Sequence, residues 1–169
     1  MTNVVKWDHY SSWNTLLRHT AWIIKLKNNW ISWKRGNKAS ENFNVLHVSE
    51  IKEAETVLLK LSQIEAFTND YLQLQLCQSL TPKSKLIPLQ TIFDERIIRV
   101  GGRISQVHLP YEVKHQVIIS PKQPIARLII TDIHERNFHA GRNATLALVR
   151  ERFWIIRFMI YHIYHIKYS

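Results

Sequence analysis

Two histidines, His134 and His139, stand five positions apart in "DIHERNFHAGRNATLALVRERFWI", Asp132 to Ile156, and their neutral imidazoles are competent zinc ligands. The zinc-protease arrangement needs two histidines four apart on one helix face, with a glutamate between them as general base. A step of five turns the second ring about 140° away on a helix, so that chemistry is not expected. The pair converges instead if His134 ends a helix and His139 lies in the loop that follows, which "NFHAGR" permits. A structural zinc site needs four ligands, and two histidines alone are more often ordinary surface. Other catalytic arrangements are lacking. Asp94, Glu95, Asp132 and Glu135 offer no pairing for two-metal chemistry, and no nucleophile–base set stands out, so no enzyme is expected.

The elements that must position these residues are bounded by composition. The 169 residues make one ordinary domain or two small ones, and an apolar content of 46% suffices for a packed core. Cys77 is the only cysteine, which excludes an internal disulfide framework and fits a reducing compartment. The N-terminal "MTNVVKWDHYSSW" is no secretory signal, and no apolar run reaches the roughly 18–20 residues of a membrane span. An intracellular protein, cytoplasmic or nuclear and with no membrane partner, is the expectation. Charge is unevenly placed. Residues 1–81 hold nine Lys/Arg against seven Asp/Glu, whereas residues 82–169 hold fourteen against six. The basic second half suits a polyanion such as nucleic acid, held by long-range attraction and counterion release.

Periodicity predicts helices at both ends and short strands between. Ser11 or Ser12 can cap "WNTLLRHTAWIIKLKNNWISW", where Leu16, Ile23, Leu26, Trp30 and Trp33 fall near one face. Aromatics at this spacing are expected in the core. A second helix over "VSEIKEAETVLLKLSQIEAF" has Ser49 as its cap candidate and a stripe of Ile51, Ala54, Leu58 and Leu61. A short helix begins at Thr68, and Cys77 in its apolar pattern reads as a buried structural thiol. After Pro82 come β-prone runs at Leu86–Leu89, Ile97–Val100 and Val117–Ile119, with Gly101-Gly102 as a turn signal. From Pro121 the pattern is helical again. Ile125, Leu128, Ile129 and Ile133 share one face, followed by Leu146, Val149 and Phe153.

The segments "IIRVGGRI", "LPYEVKHQVIIS" and "HERNFHAGRNATLALVRERFWI" resemble, in order and spacing, the integrase zinc-binding region of Bel-Pao-type long-terminal-repeat retrotransposon polyproteins. Upstream, "WNTLLRHTAWIIKL", "SEIKEAETVLLKLSQIEAF" and "PKSKLIPLQTIF" are similar to the helical connector that precedes it. The resemblance implies a mainly helical α+β protein. Residues 1–81 would be the connector and 82–169 the zinc-binding-like domain, with a β-hairpin region at 82–120 and a helix-turn-helix-like His-pair region at 121–169. It also implies zinc as cofactor, assistance to DNA binding during integration, and self-association.

Carried over by position, only His134 and His139 match the family's zinc ligands. The family's Cys-x-x-Cys pair falls, counted from His139, around Tyr168 and beyond, and no cysteine follows Cys77. On that resemblance the domain is incomplete at its C-terminus, and the integrase catalytic core is absent. His162 and His165 have the x-x spacing of the cysteines and can substitute for them. Arg142, Arg150, Arg152 and Arg157 are the expected phosphate contacts, with Arg150 and Arg157 seven apart on one helical face. The competing reading is a metal-free helical interaction module that docks through the tryptophan-rich first helix.

Overall fold

The computed structural model describes residues 7–36, 44–102 and 108–156. His162, His165 and Arg157 therefore lie outside the described residues. The fold is mainly helical α+β, as expected. Helices α1 (Trp13–Lys34) and α2 (Val48–Ala66) form a hairpin that packs on a small sheet and on α5 (Pro124–Arg136). Helix α3 (Thr68–Gln75) follows α2 directly. Among the described residues the sheet has the order β1 (Ile92–Asp94), β2 (Ile97–Arg99), β3 (Val117–Ile119) and β4 (Phe153–Ile155). The first three strands are antiparallel neighbours, while β3 and β4 are parallel, with Val117 opposite Phe153. A parallel pair needs a crossover, supplied here by α5 and α6 (Arg142–Arg150). The short α4 (Tyr111–Lys114) leads into β3. No helix among the described residues is long and apolar enough to cross a membrane.

Local chemistry explains the boundaries. Ser12 caps α1, its hydroxyl accepting from the Thr15 N–H. The cap of α2 is His47 rather than Ser49, which lies one residue inside the helix. Glu50 makes the difference, because its carboxylate accepts the His47 N–H at 2.7 Å. The Glu50 carboxyl is held below its ordinary range, chiefly by that bond, with burial opposing it and Lys25 assisting. Lys25 is itself buried, 3.2 Å from Glu50 and also donating to the Val45 carbonyl.

One buried cluster draws on both halves of the chain, and a second holds Tyr71, Leu86, Ile98, Val100, Ile118 and Ile156. Trp13, Leu16 and Leu17 of α1, Leu58 of α2, Ile119 of β3, Ile129 of α5 and Phe153 of β4 belong to the first. Gln63 joins α2 to the sheet. Its buried amide donates to the carbonyls of Ile98 and Ile118 and accepts the Ile98 N–H, all at 2.8 Å. A buried amide with its hydrogen bonds made fixes the approach of helix to strand, since misplacement would orphan polar groups of both.

Several expectations are corrected. Leu86–Leu89 is no strand; Ile87–Leu89 is a 3₁₀ turn, where Pro88 removes a ladder donor. The hairpin turn is Glu95-Arg96, both left-handed at φ 47° and 64°, and it joins β1 to β2. Gly101-Gly102 lies between β2 and β3, with Gly102 at φ 103°, and a Cβ on Gly101 would stand 2.0 Å from the Gln90 carbonyl oxygen. Cys77 is exposed with φ 55°, just beyond the end of α3, so it is not a buried thiol. The α6 pattern stops at Arg150, and Phe153 belongs to β4 rather than to the helix. Trp7 and Trp13 are core, but Trp30 and Trp33 are 56% and 69% exposed, with Ile23 and Leu26 beside them in the open.

Candidate metal and nucleic-acid site

The His pair is assembled by a helix end and a left-handed loop. His134 occupies the last turn of α5, which ends at Arg136, and His139 lies in the connection to α6. Phe138 and His139 are successive non-glycine residues with φ 55° and 56°. Each such left-handed residue costs about 1 kcal/mol or more. The strain reverses the chain, so that the His139 N–H donates to the His134 carbonyl at 3.0 Å and Ala140 N–H to that of Asn137. Asn137 also donates its side-chain amide to the Ile133 carbonyl, closing the end of α5.

This backbone brings the two rings to 5.0 Å between centres, with planes at 70°. Two imidazoles on one tetrahedral zinc ion, at bonds of 2.0–2.1 Å, have centres roughly 5 Å apart. The orientation of His134 is also defined. Its Nδ1 lies 3.1 Å from the Ala140 carbonyl, which can only accept, so Nδ1 donates there and the ring is oriented by that bond. Metal-binding histidines are commonly oriented through the ring nitrogen that does not bind the metal. Thr145, buried at the start of α6, donates to the same carbonyl at 3.1 Å and holds it in place. His134 is half-buried and His139 exposed, so the pair faces outward. These residues fit half of a zinc site. Among the described residues no group of three or more His, Cys, Asp or Glu side chains is placed to hold a metal ion.

The arginines divide. Arg142 is the first residue of α6 and Arg150 the last, both exposed. Eight positions on a helix return to within about 80°, so the two share a side. Arg142 also adds its charge to a helix N-terminus, where backbone N–H groups favour anions. Arg152 lies between Glu55 at 2.9 Å and Glu112 at 3.2 Å. The helical face expected for Arg150 and Arg157 does not form, because α6 ends at Arg150 and Phe153–Ile155 is a strand.

The carboxylates are structural. Asp132 pairs with Arg136 at 3.0 Å, and burial raises its carboxyl against the lowering effect of that arginine. Asp94 accepts from the Tyr111 hydroxyl at 2.6 Å and lies 3.7 Å from Arg99. Sequence alone did not point to a cleft of about 560 Å³ lined by Lys83, Lys85 and Lys122 together with Phe67, Ser120 and Ile156. Its three lysines belong to the basic half of the chain, which was the only signal for them. No protein-family model matches the chain, and no curated protein or solved structure is significantly similar to it.

Proposed function

We propose that the chain corresponds to the connector and zinc-binding region of a retroelement integrase, and that it assists nucleic-acid binding and self-association during DNA integration. The observation that carries the reading is the His134–His139 corner, with its 5.0 Å ring separation and a His134 ring oriented by the Ala140 carbonyl. A zinc ion on the two outward rings would clamp the turn between α5 and α6. His162 and His165 are the candidates for completing the ligand set. Clamping that turn fixes α6, whose Arg142 and Arg150 are exposed for phosphate contact, with Arg157 as a further contact. Catalysis is not part of this role.

Zinc titration of the full chain, with salt-dependent DNA binding followed by anisotropy, tests the reading. One equivalent of zinc should bind, and His134→Ala should abolish that binding. DNA affinity should fall steeply with salt. Arg142→Gln and Arg150→Gln should each make the logarithmic salt slope shallower by about 0.9, the value for one phosphate left unneutralised. Zinc binding unchanged by His134→Ala, or DNA binding indifferent to salt and to both arginines, would sink it.

A further inference from the structure

Four large apolar side chains stand uncovered on the second half of α1. Ile23, Leu26, Trp30 and Trp33 are 64%, 53%, 56% and 69% exposed. Their steps of three, four and three are those of a coiled-coil seam, and on a helix they fall within an arc of about 80°. That arc lies about 120° from Lys25, the buried residue that faces the start of α2. Isolated exposed apolar residues are ordinary, but a contiguous stripe with two tryptophans marks a surface that meets a partner.

We infer that this stripe docks an amphipathic helix of acidic character from another protein. Charge identifies the occupant. Helix α1 contains no Asp or Glu, while Lys27 and Lys34 are exposed along one border of the stripe. Glutamates flanking an apolar seam on the incoming helix would meet these lysines, as flanking charges set partner choice in helix pairs. A second copy of α1 brings lysines to lysines and no acid to either, so self-pairing through this face is disfavoured. Single-stranded nucleic acid fits less well. Half of the stripe is aliphatic, and Lys34 already lies over the Trp30 ring at 4.1 Å, on a face that a base would need for stacking.

The test uses the full chain and a dye-labelled designed helix of about three heptads, with leucine at the seam and glutamate at the flanks. Anisotropy should show saturable binding, at least about tenfold tighter than for the same helix with lysine flanks. Trp33→Ser and Leu26→Ser should each weaken it about tenfold, with thermal melts unchanged because both side chains are exposed. Equal binding of the lysine-flanked helix overturns the inference, as does binding that survives both substitutions. Displacement by a single-stranded oligonucleotide, or a dimer of the chain dissolved by Trp33→Ser, would assign the face elsewhere and also overturn it.

Discussion

The first half of α1 seals Trp13, Leu16, Leu17 and Ala21 into the core, whereas the second half holds Ile23, Leu26, Trp30 and Trp33 in the open. Residue type and spacing are alike in the two halves. The difference is in what lies alongside. Core residues of α5 and of the 3₁₀ turn at Trp7–His9 join those of the first half. Beyond Ala21 the one buried side chain of α1 is Lys25, tied to Glu50 and to the Val45 carbonyl. An amphipathic pattern thus reports that a helix face has a use, and tertiary context decides whether this chain covers it.

Leu16→Ala should show the largest effect, because Leu16 is 1% exposed and its removal leaves a cavity. A loss of about 3 kcal/mol in urea unfolding is expected. At the junction between the halves, Glu50→Gln should lower the melting temperature at neutral pH and flatten its dependence on acid. The folded carboxyl titrates below its ordinary 4.5, so the stability it adds is complete above that value and drains away as pH falls through the folded pKa. Melts of the two proteins should therefore converge in acid; parallel curves would detach Glu50 from the junction. Trp33→Ser should have the smallest effect on folding, within about 0.5 kcal/mol. If it proved as damaging as Leu16→Ala, the contrast between the halves would fail.

Much of the framework was legible because local rules and the final packing agree. Ser12 caps α1, Thr68 opens α3, and Ile125, Leu128 and Ile129 are buried on α5. The placement of His134 at a helix end and His139 in the next loop also follows from their spacing. Other features depend on neighbours that no local pattern encodes. The Glu95-Arg96 turn carries no glycine, and its second carbonyl is held by the Tyr71 hydroxyl from α3 at 2.8 Å. Phe153 continues the helical steps of Leu146 and Val149, yet pairing with Val117 makes it a strand. Gln63 reads as a surface residue of α2 until the Ile98 and Ile118 backbones are placed beside it.

The parallel pairing of β3 with β4 has a kinetic meaning. Val117 and Phe153 are partners 36 positions apart, and everything between them, including the His134–His139 corner, lies within the loop that their meeting closes. The corner joins residues only five positions apart and can form early, while the strand pairing must await a much less frequent encounter. On that argument the arrival of Phe153–Ile155 beside β3 should follow the corner. Any ligand that staples the corner beforehand shortens the effective length of chain to be closed and should quicken it.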